Sequence, residues 1–246
     1  IAHGRADEAK RIVDEIEAEV SAQHGPLPAP RSYVDYTAAR RESPPMRQVA
    51  RVLLQHYRQR SVVALALMIA QAFFYNAIFF TYALVLTRFY AVPEASVALY
   101  IFPFALGNVL GPLLLGPLFD SVGRRRMIAL TYVLAGVGLA FTGWAFMQGW
   151  LDARSQALCW SAVFFLASAA ASSAYLTVSE VFPLEMRAMA IAIFYAIGMG
   201  AGGFAAPVLF GLLIETGSRG AVMVGYCFAA VLVVVAGLLA LRYAAD

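Results

Sequence analysis

The chain has 246 residues, of which 61% are hydrophobic and only 13% are charged, and its formal net charge is +3. Ordinary soluble domains carry about 25% charged residues, so this chain has too few polar side chains to cover a water-soluble globule. The composition therefore excludes a soluble enzyme, a disordered tail and a disulfide-stapled secreted domain.

More than half of the charged residues lie in residues 1–60, which we predict to form a cytoplasmic loop region with amphipathic helices. In residues 4–23, apolar side chains recur every four positions, which indicates a soluble helix. Closely spaced prolines in residues 25–45 are typical of a linker. Residues 46–60 set apolar side chains against arginines, a pattern typical of a helix on an anionic membrane face.

Six apolar segments follow, each long enough to cross ~30 Å of hydrocarbon at ~1.5 Å per residue. None of them carries an ionisable side chain near its centre. The sequence therefore predicts an all-α polytopic membrane protein with a six-helix transmembrane bundle over residues 61–246. The expected spans are residues 62–87, 96–119, 127–147, 157–180, 189–213 and 221–241.

Arginines near the span ends predict the orientation. They are far more frequent on the side of residues 1–60 than on the opposite side, so the positive-inside rule makes both termini of this segment cytoplasmic. The first side holds Arg41, Arg47, Arg51, Arg58, Arg60, Arg124, Arg125, Arg126, Arg187 and Arg242, and the opposite side holds Arg88, Arg154 and Arg219.

The loop after the second span, residues 116–126, reads GPLFDSVGRRR. Asp120 at the helix end can pair with Arg124, Arg125 or the N-terminus of a neighbouring helix, while Gly123 permits a tight turn. A pair of this kind predicts a cytoplasmic latch that closes one arrangement of helices and breaks in another. The alternative is that the arginines only anchor the loop.

A second charged loop, residues 179–187, reads SEVFPLEMR. Glu180 and Arg187 could pair with each other across the proline, or with Asp120 and its neighbouring arginines. We expect them to belong to the same latch. A static bridge that fixes the loop is the alternative.

Polar side chains within the spans are costly in lipid and usually face protein or a cavity. We expect Gln71, Asn76, Asn108, Ser172 and Tyr175 to contact a neutral solute with polar and apolar parts. On a regular helix Asn76 points about 140° away from Gln71, so joint contact requires a wide cavity or an unwound turn. For the serine, bonding to its own helix and close packing is an alternative.

Several chemistries are not expected. All three histidines lie within residues 1–60, and the two cysteines, Cys159 and Cys227, lie far apart in apolar runs. We therefore expect no enzyme activity, no metal or other cofactor and no nucleic-acid partner. The run GMGAGG, residues 198–203, contains the letters of a dinucleotide motif, but within an apolar helix it favours close helix packing or a hinge.

In its two charged loops the chain resembles the C-terminal half of a major facilitator superfamily transporter. Residues 116–125 match the cytoplasmic G-x3-D-x2-G-R-R loop motif of that superfamily, and residues 180–187 resemble the E-x-F-P-x3-R motif of its sugar-porter and metabolite–proton symporter branches. Residues 3–9 are similar to the helix after the sixth span in those branches. The resemblance implies a missing N-terminal six-helix half, alternating access and a plasma-membrane location.

The resemblance also bears on the solute. Gln71, Asn76 and Asn108 fit the spacing of sugar-porter solute contacts, whereas Ala70 and Tyr175 depart from the residues that sugar porters place there. The resemblance implies a transporter for a sugar or another small metabolite, coupled to protons. Since the spans carry no central acid, a proton-binding carboxylate would come from the other half. Efflux of apolar or aromatic compounds and a non-transporting solute sensor are the alternatives.

Overall fold

The structure, a computed structural model, describes residues 6–25, 45–182 and 184–243. The chain divides into two compact units, Ile1–Pro44 and Pro45–Asp246. In the first unit the described part is one helix, α1 (Ala6–His24), which carries the predicted apolar repeat.

The second unit is built of helices, and none of its described residues forms a strand. In chain order they are α2 (Met46–Gln55), α3 (Arg58–Phe79), α4 (Tyr82–Tyr90), α5 (Glu94–Val97), a 3-10 turn (Ala98–Tyr100), α6 (Ile101–Ser121), α7 (Arg124–Met147), α8 (Ala153–Val181), α9 (Leu184–Gly198), a π-helical turn (Met199–Gly203), α10 (Phe204–Glu215) and α11 (Arg219–Tyr243).

Six helical stretches are long and apolar enough to cross a membrane, which confirms the predicted all-α class with six spans. Spans one to six are Arg58–Tyr90, Glu94–Ser121, Arg124–Met147, Ala153–Leu176, Met186–Glu215 and Arg219–Arg242.

Span one differs from the single helix expected over residues 62–87, because it is interrupted at Phe80 and Thr81. The Thr81 hydroxyl donates to the Ala77 carbonyl oxygen, and the Asn76 amide donates to the Ala72 carbonyl oxygen at 2.6 Å. Side chains that bond the carbonyls of the preceding turn compete with the regular helix ladder and bend it. The interruption therefore falls where two such side chains follow one another.

One glycine and one aspartate set the ends of helices α6, α7 and α8. Gly123 has φ +102°, a conformation that a side chain would strain, and it separates α6 from α7. Asp152 caps α8 by accepting the backbone N–H of Ser155 at 2.7 Å. Hydrogen bonds from the Ser155 side chain and backbone hold the pKa of the Asp152 carboxyl below its usual value.

The basic helix α2 packs on the bundle. Val49 and Leu53 are buried, α2 lies against α9, and the Ser61 hydroxyl donates to the Leu53 carbonyl oxygen at 2.8 Å. The apolar face that suggested contact with lipid is thus covered by protein, while Arg47 and Arg51 remain exposed.

Long helix pairs form the bundle: α7 packs along α11, α6 packs along α8, and α3 contacts α8, α9 and α11. Small residues permit the closest approaches. A Cβ added at Gly111 would clash with the carbonyl oxygen of Phe165, and one added at Gly202 would lie 2.8 Å from the backbone nitrogen of Phe73. The glycine run of span five therefore packs on span one, as its spacing predicts.

At the bundle end opposite Gly123, Arg219 holds three elements together. Its guanidinium donates to the carbonyl oxygens of Phe146 at 3.1 Å and Phe89 at 3.4 Å, and it lies over the rings of Phe146 and Tyr90. A cation over aromatic faces is attracted by the ring quadrupole. Arg219 thus ties the start of span six to the ends of spans one and three.

Candidate functional site

An open polar cluster lies between spans one and two. The Tyr75 hydroxyl donates to Oδ1 of Asn108 at 3.0 Å. The Tyr75 ring is half-buried and packs edge-on against Phe164 of span four, with ring centroids 4.8 Å apart. Asn108 itself is exposed on the surface of the bundle. We name this cluster the Tyr75–Asn108 pair.

Gln71 lies next to that pair. It is half-buried and, with Tyr75 and the buried Tyr132, lines a void of about 10 Å³. Since Gln71 and Tyr75 are four residues apart in α3, they share one helix face. The Tyr132 hydroxyl donates to the Leu67 carbonyl oxygen at 3.2 Å, and this bond holds the Tyr132 ring in the wall of the void beside Gln71.

Two further tyrosines stand on spans four and five. Tyr175 is half-buried and Tyr195 is 45% exposed, and their ring centroids are 6.1 Å apart at an angle of 44°. Sequence reasoning named Tyr175 but missed Tyr195 and assigned no contact to Tyr75. The available signal was a hydroxyl-bearing aromatic residue in an otherwise apolar span, since such a residue usually needs a polar partner.

The structure places Asn76 away from the other amides. Its side chain is only 7% exposed and bonds its own helix, and a Cβ added at Gly203 of span five would lie 3.2 Å from its Nδ2 atom. Asn76 therefore lies between spans one and five. The unwound turn that joint contact with Gln71 would require begins only after it, at Phe80.

Ser172 lies in a different place again. Its hydroxyl donates to the Ser168 carbonyl oxygen at 3.0 Å, which is the bonding that the packing alternative expects. Ser172 is nevertheless exposed and lines an open cavity of about 240 Å³ together with Pro112, Asp120 and Arg124. The structure thus groups Ser172 with the charged loop and not with the Tyr75–Asn108 pair.

The charged loop contains an ion pair across the Gly123 turn. Nη2 of Arg124 lies 3.4 Å from Oδ1 of Asp120, with the two side chains 48% and 75% exposed, respectively. Exposed pairs of this kind stabilise a protein by only about 0–1 kcal/mol. The pair can therefore break at little cost.

The other predicted latch residues are placed differently. Arg125 donates to the carbonyl oxygens of Leu241 and, at 3.4 Å, of Arg242, so it caps the C-terminal end of α11. Arg187 is half-buried, and no described residue accepts a hydrogen bond from its Nε atom. The side chain of Glu180 lies outside the described part of the structure.

Comparison with known proteins identifies the family of this chain. The model of the family described as "Sugar (and other) transporter" matches residues 1–244. No curated protein and no solved structure gives a significant match to the chain. This is a family of transporters and not of enzymes, and it fits a membrane bundle with neutral polar side chains on an open face. The chain therefore belongs to the sugar (and other) transporter family of the major facilitator superfamily.

Proposed function

We propose that this chain forms the C-terminal half of a secondary transporter that moves a small polar organic solute, a sugar or another metabolite, by alternating access. The observation that carries the proposal is the Tyr75–Asn108 pair, an accessible neutral hydrogen-bonding group within the membrane-spanning bundle of a transporter family. Neutral amides and hydroxyls beside aromatic rings suit an uncharged solute with polar and apolar faces.

The solute site we propose consists of Gln71, Asn108 and Tyr175, with Tyr75 and Tyr195 added to them. These side chains are exposed or half-buried, and each of them ends in an amide or a hydroxyl group. Ser172 lines the cavity beside the charged loop, and we assign it to the path between the solute site and that loop. The burial of Asn76 favours a role in packing span one on span five.

The gate we propose is the charged loop. Asp120 and Arg124 form its breakable pair, Gly123 provides the turn, and Arg125 ties the turn to span six. We also assign Glu180 and Arg187 to this gate from their place in the second charged loop. In this mechanism the charge layer closes while the solute site faces outward and opens when the site faces inward.

A second six-helix half is the partner we propose. Spans two and five are the least covered of the six, with 22% and 33% of their most apolar windows buried, against 61% for span one. Their exposed faces leave room for a packed partner bundle. The arginine asymmetry supports cytoplasmic ends, and the plasma-membrane location that we propose rests on the resemblance to the superfamily alone. A proton-binding carboxylate would lie in the other half, since the six spans here have no central acid.

Transport by the full-length protein in proteoliposomes tests this function. We would measure uptake and counterflow of radiolabelled D-glucose, D-xylose, glycerol, citrate and benzoate, with and without an inward proton gradient. We expect at least one solute to exchange by counterflow and to accumulate with the gradient. Asn108→Ala should lower the initial uptake rate by about tenfold, because a lost hydrogen bond is worth ~1 kcal/mol or slightly more.

Val109→Ala is the matched control, since Val109 is the exposed apolar neighbour on the same span, and it should change the rate less than about twofold. Binding without counterflow of any solute would contradict transport and favour a sensor. Movement only outward, with apolar solutes preferred, would favour efflux.

A further inference from the structure

Tyr75 connects three spans at the open face. Its hydroxyl reaches Asn108 on span two, and its ring packs on Phe164 of span four, while its backbone belongs to α3 of span one. The edge-on ring contact restrains the ring and so limits the positions that the hydroxyl can take. Tyr75 thus holds the side chain of Asn108 from the neighbouring span.

The hydrogen bond decides which end of the Asn108 amide is available. A carboxamide has an oxygen that accepts and a nitrogen with two N–H donors, and these lie on opposite sides of its carbon. The Tyr75 hydroxyl donates to Oδ1, at 3.0 Å. The Nδ2 group therefore points away from Tyr75, and because Asn108 is exposed, its N–H groups are accessible from the open face.

We propose that Tyr75 is a positioning residue that orients the Asn108 amide, so that its N–H groups donate to an acceptor oxygen of the transported solute. This inference rests on the proposed function and adds a specific requirement to it. Without the Tyr75 hydroxyl the amide can rotate, and Nδ2 and Oδ1 exchange places. The solute must carry a hydroxyl, ether or carbonyl oxygen at the point that faces Asn108.

The test is a double-substitution cycle in proteoliposomes containing the full-length protein. The probe is the member of the panel of D-glucose, D-xylose, glycerol, citrate and benzoate that the unsubstituted protein takes up fastest. Tyr75→Phe keeps the ring on Phe164 and removes only the hydroxyl. We expect it to raise KM by about fivefold and to change kcat less than about twofold.

The partner variant and a control complete the cycle. Asn108→Ala should raise KM at least as much, and Tyr75→Phe combined with Asn108→Ala should be no worse than Asn108→Ala alone. Tyr82→Phe is the matched control, because Tyr82 is another tyrosine of span one and its ring packs edge-on against Phe104 of span two. It should leave KM within about twofold of the original value.

Asn108→Asp provides an independent check that does not remove Tyr75. It keeps an oxygen for the Tyr75 hydroxyl and loses the N–H donors, so KM should rise although the bond to Tyr75 persists. An unchanged KM in Asn108→Asp, an unchanged KM in Tyr75→Phe, or additive effects in the double variant would each overturn the inference. Uptake by the unsubstituted protein would still stand in those cases. A complete lack of uptake and counterflow would instead remove the proposed function, and this inference with it.

Discussion

Asn76 and Asn108 carry the same side chain, but the fold places them in different surroundings. Asn76 is buried, donates to the carbonyl oxygen of Ala72 and lies next to Gly203 of span five. Asn108 is exposed and accepts from Tyr75. An unpaired amide is costly in lipid; the Asn76 amide bonds its own helix, whereas the Asn108 amide bonds a side chain of another span. Of the two, only Asn108 is exposed, so only its amide is accessible to a solute.

Asp120→Asn tests the proposed gate at the level of one residue. Its exposed pair with Arg124 supports stability by about 0–1 kcal/mol, so the folded fraction should barely change. The initial uptake rate should fall by up to about fivefold, because losing a pair worth up to ~1 kcal/mol changes the equilibrium constant between closed and open forms by about that factor. Uptake in proteoliposomes and the yield of monodisperse protein are the two measurements.

Arg187→Ala should act in the same direction, since we place Arg187 in the same gate. Glu94→Gln is a suitable control, because Glu94 is an exposed acid at the opposite end of the bundle and should leave uptake unchanged. If Asp120→Asn and Arg187→Ala both transport at the original rate, the gate does not use these charges.

At the level of elements, the π-helical turn in span five is the most distinctive local structure. It covers Met199–Gly203 and packs on α3, with Gly202 against Ile69 and Phe73, and Gly198 at the end of α9 lies against Met68. A π-helical turn holds one residue more than an α-helical turn of the same height and often marks a functional position. Here it brings two glycines of span five against the backbone of span one.

Gly202→Ala should destabilise this contact, because the added Cβ would clash with the Ile69 carbonyl oxygen and lie 2.8 Å from the Phe73 nitrogen. Overpacking of this kind costs about 1–3 kcal/mol, so we expect the apparent Tm in detergent to fall by roughly 5 °C.

Gly200→Ala is the matched control within the same turn, since a Cβ there would meet nothing within 4 Å. Its Tm should stay at or above the original value, because alanine is favoured over glycine in helices. Equal Tm values for the Gly200 and Gly202 variants would show that the close approach does not limit stability.

At the scale of the whole molecule, the orientation that we propose rests on the distribution of arginines over the two ends of the bundle. One end holds the turn between α6 and α7 with its arginines, and the other holds the turn between α10 and α11, followed by Arg219. Translocation of positive charge is disfavoured, so the richer end should remain in the cytosol. This placement of the gate is the basis of the proposed mechanism.

Cysteine labelling in intact cells tests the orientation. In a background with Cys159→Ala and Cys227→Ala, we expect a membrane-impermeant maleimide to label Thr216→Cys from outside and to label Ser121→Cys only after the cells are opened. Both native side chains are exposed, Ser121 at the C-terminal end of α6 and Thr216 in the turn after α10, so their accessibility is matched. Labelling of Ser121→Cys in intact cells would reverse the topology and place the charged loop outside.

The residues of the proposed solute site were only partly predictable from the sequence. The sequence was sufficient to propose Gln71, Asn108 and Tyr175, because polar side chains are rare and costly within apolar spans. Tyr195 and the contribution of Tyr75 were not, because a tyrosine in a span fits simple packing equally well. The partners of Ser172 and Arg125 also required the fold, since each depends on which spans become neighbours.

The sequence by itself determined the class of the protein and the number of its spans. Hydrophobic length and the scarcity of charge act locally along the chain, so they can be read without knowing any contact. The tertiary structure alone decided that span one is interrupted at Phe80 and Thr81, that Asn76 turns toward span five, and that Tyr75 bonds Asn108. The physical reason is that hydrogen bonds and close approaches between helices depend on their relative rotation and register, which side-chain packing across the bundle establishes.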